Sequence, residues 1–230
     1  MAKKKVAITI DNAMETLIYM SADLFSANFS KEQLYKNTAN KGLIGCLLED
    51  AVGLERSSET LDFVDGELKS QGLTAKGMPK ETLNVTMVSR EFDNYITENF
   101  NPRNCHAYKK LQTFIYCGYE ASTNVREDWR IKKLYLISES DPIFAEFYKQ
   151  FREDLKYIAS RMREIAFSDD KKLGTINGKF FQLRTKGQGH NKGAIKSKLA
   201  NRLVSDSSYA FYMTMDGIKY LMEVAENYAT

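Results

Sequence analysis

Residues 61–69 read Leu-Asp-Phe-Val-Asp-Gly-Glu-Leu-Lys, and this stretch contains the strongest local structural signal in the chain. Asp-Gly is a preferred dipeptide for a two-residue β-hairpin turn, because both residue types tolerate the positive φ angles that such a turn requires. Asp65 and Gly66 therefore predict a hairpin whose strands flank them. The expected cross-strand pairs are Val64 with Glu67, Phe63 with Leu68, and Asp62 with Lys69.

The predicted hairpin sorts its side chains onto two faces. Residues opposite each other across a strand pair share a face, and so do residues two apart on one strand. Asp62, Glu67 and Lys69 therefore converge on one side, while Phe63 and Leu68 point to the other. Two carboxylates and a lysine on one face can hold a divalent cation and stabilise an attack on a phosphodiester. The pattern predicts a polar site backed by an apolar core.

A solvated hairpin without chemistry is the alternative interpretation of the same motif. Charged residues make up 27% of the chain, so an acid followed by Glu-x-Lys also arises often by chance. The sequence around the hairpin is needed to choose between the metal site and the solvated hairpin.

The composition indicates a folded chain of 230 residues, enough for one large domain or two small ones. A hydrophobic fraction of 43% and an aromatic fraction of 12% argue against disorder. With three prolines and no low-complexity block, a single compact domain is expected. No apolar run could span a bilayer, and the residues after Met1 lack the apolar segment of a signal peptide, so we expect a cytoplasmic protein.

Three cysteines, Cys46, Cys105 and Cys117, lack Cys-x-x-Cys spacing and indicate neither a disulfide framework nor a structural zinc site. We expect them to be reduced and mostly buried.

A basic run stands out against the formal net charge of only +3. It contains no acidic residue and carries Arg184, Lys186, Lys192, Lys196, Lys198 and Arg202. A solvated loop and a phosphate-binding segment are both consistent with such a run.

A helix is predicted from Lys41 to Val52, because its apolar residues recur on one broad face. Gly42, Gly45 and Glu49 fall on the opposite side. Two glycines beside a carboxylate leave room for a close approach to that acid, although each costs about 1 kcal/mol relative to alanine. An ordinary surface glutamate is the alternative.

The remaining pattern predicts further helices and a sheet. Helices are expected before residue 40, with Ser30 as an N-cap, from Asp141-Pro142 to Ile165, and from about Asp216 to Tyr228. Strands are expected at 83–88, 114–117, 131–137, 180–183 and 209–213. The fold class is therefore α/β of the α+β type, with a central mixed β-sheet flanked by helices. The long helix that follows Asp141 should pack across this sheet.

The segment from Lys41 to Glu49, followed by a hairpin ending in Glu67-Leu68-Lys69, resembles the MutH superfamily of DNA endonucleases. Further matches in the same order are Glu81-Thr82, residues 106–111, residues 151–154, residues 182–186 and Phe211-Tyr212. The resemblance implies a PD-(D/E)xK restriction-endonuclease-like fold over the whole chain. It also implies two lobes around a cleft, a helical part at about 10–53 and a DNA-recognising part at about 140–230.

The catalytic residues implied by the resemblance are Glu49, Asp62, Glu67, Lys69 and Lys110. Mg²⁺, with Mn²⁺ as a substitute, would be held by Asp62, Glu67, the Leu68 carbonyl and Glu49. Asp65 replaces Asp62 as a ligand if the hairpin register differs. Leu61 stands before Asp62 where the wider nuclease class often has proline. The gap from Asp62 to Glu67 is shorter than in the mismatch-repair enzyme and matches the spacing of some restriction enzymes of the superfamily.

The resemblance also implies a set of DNA contacts. Arg184 matches an arginine that reads the recognition sequence, Tyr212 a tyrosine near the target adenine, and Asn84 a third DNA-facing position. Phe211 is expected in the core beside Tyr212. Phosphate contacts are expected from Lys186, His190, Lys192, Lys196 and Lys198. Thr214 and Met215 stand where the repair enzyme of the family has lysines.

The expected function is that of a type II restriction enzyme acting on double-stranded DNA at GATC. A mismatch-repair nickase for hemimethylated GATC, which needs a MutL-type partner, is the nearest alternative. A non-catalytic DNA-binding or effector module and a metal enzyme acting on another substrate stay open. We expect a monomer in solution that can dimerise on DNA, and no membrane partner.

Overall fold

A computed structural model describes most of the chain, which is divided into two compact units. The first unit comprises residues 1–81 and 111–138, and the second comprises residues 82–110 and 139–230. The structure describes residues 8–36, 42–54, 61–89, 91–169, 171–187 and 193–228.

The described residues form helices and strands in a mixed order along the chain. The helices are α1 (Ile10–Ser21), α2 (Phe25–Asn28), α3 (Lys31–Tyr35), α4 (Leu43–Ala51), α5 (Phe92–Tyr95), α6 (His106–Gln112), α7 (Ala145–Ala166) and α8 (Met215–Tyr228). The strands are β1 (Glu67–Leu73), β2 (Leu83–Met87), β3 (Thr113–Glu120), β4 (Ile131–Ser138), β5 (Ile176–Asn177), β6 (Phe181–Thr185), β7 (Ile195–Ser197), β8 (Arg202–Ser205) and β9 (Tyr209–Met213). Among these helices, none is long and apolar enough to cross a bilayer.

The first unit contains a mixed three-stranded sheet in the order β1-β3-β4. Strand β1 runs parallel to β3, and β4 runs antiparallel to it. Helices α1 and α4 pack their apolar stripes against one face of this sheet, where Leu68, Ile115 and Cys117 are buried. Ser30 caps α3 in a reciprocal capping box with Gln33, as predicted for this residue. The α+β class and a mixed sheet are confirmed.

The predicted hairpin at residues 61–69 is wrong. Within this segment only residues from Glu67 onward are in a strand, and that strand pairs with β3. Phe63 N donates to Gly66 O over 2.9 Å, so a loop with Val64 and Asp65 at its tip precedes β1. The turn is therefore shifted by one residue from the predicted one.

Tertiary contacts explain why Asp65 and Gly66 do not form the turn. Asp65 Oδ1 accepts a hydrogen bond from Ile10 N over 2.9 Å and so helps to cap α1. A Cβ at Gly66 would lie 2.5 Å from Ile10 Cδ1 and 2.8 Å from Thr113 O. Glycine is needed here because a helix and a strand approach the backbone closely.

The second unit contains an antiparallel four-stranded sheet in the order β2-β9-β6-β5. The strands expected in one central sheet are thus divided between two sheets, since strand propensity does not specify the pairing partner. Helix α7 packs against this second sheet, and Phe151 stacks on Phe181 with ring centroids 4.0 Å apart. Asp141 caps the short 3₁₀ turn Pro142–Phe144 that leads into α7, close to the predicted start.

A two-stranded antiparallel ribbon of β7 and β8 completes the second unit, together with helix α8. The predicted strand at 209–213 coincides with β9, and the predicted final helix coincides with α8 within a residue. The three cysteines are free thiols, with Cys105 and Cys117 buried and Cys46 half-buried. Burial raises the pKa of Cys117 to about 12, so this thiol stays protonated at physiological pH.

Candidate active site

Asp62 and Glu67 are joined at the start of β1 by reciprocal hydrogen bonds. Asp62 N donates to Glu67 Oε2 over 3.2 Å, and Leu68 N donates to Asp62 Oδ2 over 3.0 Å. Glu67 is only 1% exposed. Each carboxylate therefore fixes the backbone of the segment that carries the other.

Lys69 lies two residues along β1 and forms an ion pair with Glu67. Its Nζ is 2.5 Å from Glu67 Oε1, and the two side chains are 14% and 2% exposed. Side chains two apart on a strand share a face, so Glu67 and Lys69 lie on the side opposite Leu68, which is buried in the core of the first unit. The structure thus brings Asp62, Glu67 and Lys69 together, although by a different backbone route from the predicted hairpin.

Helix α4 brings Glu49 toward this cluster, because α4 packs directly against β1. The approach is close at Gly45, where a Cβ would lie 3.0 Å from Ser70 Oγ. The space left by this glycine is therefore filled by β1. Gly42 is the exposed N-cap residue of α4 and begins the helix.

The charges of Asp62, Glu67 and Lys69 affect the pKa of Glu49. Burial raises the pKa of its carboxyl above the usual range, and the negative charge of Asp62 raises it further. Lys69 lowers the Glu49 pKa, while Glu67 and Asp50 add smaller increases. The carboxylates around Glu49 thus outweigh the single lysine, and the site carries an excess of negative charge.

The chemistry of these donors fits a hard divalent cation. Mg²⁺ prefers oxygen ligands and commonly takes one or two protein carboxylates, with water in its other positions. In the described part of the chain, no group of three or more acidic, histidine or cysteine side chains is arranged around a common point. Asp62 and Glu67 are the two carboxylates that hydrogen bonds bring together, and their charges act on Glu49.

We expect Glu49→Gln to stabilise the fold at neutral pH. Because the Glu49 pKa is raised, the folded state binds this proton more tightly than the unfolded chain does. The stability contributed by Glu49 is then fully present below about pH 4 and is lost as the pH rises through the raised pKa. Thermal unfolding in EDTA should show a higher melting temperature for the variant at about pH 7.5 and no difference at about pH 3.5. These two pH values lie above and below the usual pKa of glutamate.

Glu15→Gln provides the matched control, because Glu15 is an exposed glutamate on α1. It should show no comparable gain at either pH. A Glu49→Gln protein that melts below the parent protein at neutral pH would contradict the electrostatic account.

Lys110 is half-buried near the end of α6. It belongs to the second unit, whereas Glu49, Asp62, Glu67 and Lys69 belong to the first.

The residues predicted to read DNA share one face of the four-stranded sheet in the second unit. Tyr212 on β9 lies opposite both Asn84 on β2 and Gln182 on β6. Arg184 is two residues beyond Gln182, so its side chain lies on the same face. Its guanidinium carbon is 4.1 Å from the centre of the Tyr212 ring, which is a cation–π contact. Three polar side chains and one aromatic ring thus form a continuous surface.

Asn84 and Lys186 add hydrogen-bonding groups to this surface. Lys186 Nζ is 3.5 Å from Asn84 Oδ1. Asn84 Nδ2 is buried, and no described residue offers it an acceptor within hydrogen-bonding distance. A buried donor without a partner costs about 1–3 kcal/mol.

Tyr212 is less accessible than the sequence interpretation implies. It is 8% exposed, and Phe211 beside it is fully buried, so both aromatic residues belong to the packed sheet. The Arg184 guanidinium covers the Tyr212 ring.

Of the predicted phosphate contacts, Lys196 lies on β7 and Lys198 in the turn that follows, and both are exposed. His190 and Lys192 lie outside the described residues. Gln182 is a member of the candidate surface that sequence reasoning missed as a site residue. The alternation of polar residues at 182, 184 and 186 could have identified it, since this is the period of one strand face.

Comparison with known proteins adds no family assignment. No protein-family model and no curated protein sequence matches the chain.

Proposed function

We propose that this protein is a Mg²⁺-dependent endonuclease that hydrolyses phosphodiester bonds of duplex DNA. Within that class we propose a type II restriction enzyme with a PD-(D/E)xK fold of the MutH type, acting in the cytoplasm at GATC or a closely related site. The observation that carries the proposal is the cluster of Asp62, Glu67 and Lys69 at the start of β1.

The cluster supports hydrolysis because a buried ion pair is an expensive way to stabilise a fold. Removing two charges from water costs several kcal/mol per ion, roughly as much as their attraction returns. Such a group of charges is more readily explained by a role in binding or catalysis on a charged substrate than by a contribution to stability. Its position beside Glu49, whose pKa is raised, adds to the case, because perturbed carboxyls cluster at functional sites.

The reaction requires water to attack the phosphorus atom while the bond to the leaving sugar oxygen breaks. The water gives up one proton and the leaving oxygen gains one. Asp62 and Glu67 would hold Mg²⁺, with the Leu68 carbonyl as a further oxygen ligand and Glu49 in an outer position. When bound, Mg²⁺ supplies positive charge and polarises a phosphoryl oxygen.

Lys69 supplies the positive charge of the protein itself. Its ammonium group is fixed by Glu67, and it would stabilise the negative charge that builds on the phosphate oxygens in the transition state. Lys110 would be a further catalytic lysine, as its match to the MutH superfamily implies.

Sequence would be read by the surface of Arg184, Tyr212 and Asn84. An arginine can bond bidentately to guanine O6 and N7, which discriminates against other bases by about 1–3 kcal/mol. Asn84 would act on this surface through Lys186, since its Oδ1 lies 3.5 Å from Lys186 Nζ and its Nδ2 is buried. Stacking on Tyr212 holds the guanidinium plane in one orientation, so less side-chain entropy is lost on binding.

A nickase that acts on hemimethylated GATC with a MutL-type partner would use the same catalytic residues. The two functions differ in what the purified protein does alone. Supercoiled plasmids with methylated and unmethylated GATC sites, incubated with the full chain and Mg²⁺, should show double-strand cuts at a fixed sequence if the protein is a restriction enzyme. Sequencing the ends identifies that sequence.

Feeble nicking without a partner would favour the repair function instead. Salt-sensitive binding without cleavage in Mg²⁺ or Mn²⁺ would indicate a non-catalytic DNA-binding module. The absence of any salt-sensitive duplex binding would remove DNA as the substrate.

A further inference from the structure

The ribbon of β7 and β8 in the second unit presents an unusual outer surface. Lys196 lies directly opposite Leu203 across the two strands, and both side chains are exposed. The turn between the strands carries exposed Lys198 and Leu199. Leu199 is 53% exposed and Leu203 is 49% exposed, so two leucines and two lysines form one outward-facing surface.

The tip of the ribbon is held in place by Asp93 at the start of α5. Ser197 Oγ donates to Asp93 Oδ1 over 2.6 Å, and Lys198 N donates to Asp93 Oδ2 over 2.9 Å. Ala200 N in turn donates to Ser197 Oγ over 2.9 Å. The carboxylate thus fixes the turn itself, and Leu199 projects from a braced backbone.

Strand β8 is held as well. Arg202 Nη2 donates to Lys171 O over 2.8 Å, and Leu173 N donates to Val204 O over 3.1 Å. The inner residues Ile195 and Ser197 are buried. The outer surface defined by Lys196, Lys198, Leu199 and Leu203 is exposed.

The charge of this surface suits a polyanion. From Arg184 to Ser205 the chain contains no acidic residue. Asp93 is the carboxylate bound to the turn, and its oxygens are engaged by Ser197 and Lys198 N. Lysines beside exposed leucines match duplex DNA, which offers phosphates at its edge and apolar base surfaces within its grooves.

We propose that the outer surface of the β7–β8 ribbon docks on duplex DNA, with Lys196 and Lys198 on phosphates and Leu199 inserted as a wedge at a base step. A two-stranded ribbon fits a groove of B-form DNA. Apolar side chains that enter between base pairs unstack them and kink the duplex. Leu199 has the required position, because it is exposed in the turn that Asp93 fixes and it follows Lys198 directly.

This inference rests on the proposed action on duplex DNA, and it adds deformation of the DNA to that function. A deformable base step at or beside the target would then favour binding without any hydrogen bond to its bases. The ribbon would contribute to site selection independently of Arg184.

The phosphate contacts are tested by the salt dependence of duplex binding in EDTA, where no cleavage occurs. Each phosphate neutralised by a lysine contributes about 0.9 to the slope of log K against log salt. Replacing Lys196 and Lys198 together by alanine should therefore lower the slope by about 1.8. Lys149→Ala is the control, because Lys149 is an exposed lysine on α7, and its slope should equal that of the parent protein.

The wedge is tested with duplexes containing GATC in which 2-aminopurine replaces one adenine at a time, since its fluorescence rises when the base is unstacked. The parent protein should raise the signal at one step, and Leu199→Ala should return it to that of free DNA while keeping the parent salt slope. Leu24→Ala is the matched control, because Leu24 is an exposed leucine outside the ribbon, and it should keep the signal.

Unstacking that is absent in the parent protein, or equal in parent and Leu199→Ala, would overturn the wedge even if plasmid cleavage succeeds. If the parent protein did not bind duplex DNA at all, both the wedge and the proposed function would be wrong. If the ribbon variants lost affinity for anionic lipid vesicles while duplex binding stayed at the parent level, the surface would face a membrane and the proposal would be wrong.

Discussion

Lys69→Ala is expected to lower kcat for cleavage of duplex DNA by about 10²–10³, the usual effect of removing one group that stabilises transition-state charge. The ammonium group is fixed 2.5 Å from Glu67 Oε1, so it contributes its charge without reorganisation when the phosphate arrives. Single-turnover cleavage of a plasmid at saturating Mg²⁺ measures the effect. Duplex affinity in EDTA should change little, because this lysine acts on the transition state.

Lys132→Ala is the matched control for this substitution. Lys132 lies on β4 of the same sheet, and its Nζ is 3.1 Å from Glu120 Oε2, so it is also a strand lysine paired with a glutamate. Its removal should leave kcat at the parent value. An alanine variant at Lys69 that cleaves as fast as the parent protein would overturn the catalytic assignment.

Loss of Lys69 also removes the ion pair with the buried Glu67 carboxylate, which can destabilise the fold by about 3–5 kcal/mol. Lys69→Arg separates this effect from catalysis. Arginine keeps a positive charge beside Glu67, but its planar guanidinium does not replace a compact ammonium group. We expect a folded Lys69→Arg protein that still cleaves more slowly than the parent.

Local periodicity made much of the fold predictable from the sequence. The apolar stripe from Phe147 to Ile165 repeats at helical spacing and is buried along α7. Asp141-Pro142 and Ser30 mark helix starts through hydrogen bonds to residues only two or three positions away. Signals of this kind depend on a few neighbouring residues, so they survive in the folded structure.

Pairing between distant segments was not predictable in this way. The Asp65-Gly66 signal is overridden because α1 and β3 meet the backbone at Gly66, a contact between parts of the chain far apart in sequence. Strand β2 shows the same limit. Its strand propensity is clear from the sequence, but its partner β9 lies near the end of the chain. Propensity specifies a strand, and packing selects its neighbours.

The candidate site shows the same division. The spacing of Asp62, Glu67 and Lys69 placed the three together because they are close in sequence, and small shifts of the turn do not separate them. The contact between Arg184 and Tyr212 depends on the register of β6 against β9, which no local pattern determines. The burial of Asp154 was also predictable from the sequence. An acidic residue within the apolar stripe of α7 predicts a buried carboxylate with hydrogen-bond partners.

Asp154→Ala is expected to destabilise the protein by about 3–5 kcal/mol, because buried donors without a partner cost roughly 1–3 kcal/mol each and are only partly recovered by water. Asp154 is 4% exposed. Its carboxylate accepts hydrogen bonds from the backbone N–H groups of Lys179, Phe180 and Phe181 at 3.0, 2.6 and 2.9 Å. Chemical denaturation followed by circular dichroism measures the loss as a lower midpoint at an unchanged slope.

The same three hydrogen bonds link Asp154 to the surface that would read DNA. They fix the backbone where β6 begins, and Arg184 lies on that strand, so a frayed start of β6 should also weaken the register that places Arg184 over Tyr212. Glu153→Ala is the control, since Glu153 is the exposed neighbour of Asp154 on α7, and its effect should stay within about 0.5 kcal/mol. Asp154→Asn keeps the size of the side chain but turns an amide donor toward backbone donors, so it should fall between alanine and the parent protein in stability. If Asp154→Ala unfolded at the same denaturant concentration as Glu153→Ala, the carboxylate would not be what holds the start of β6.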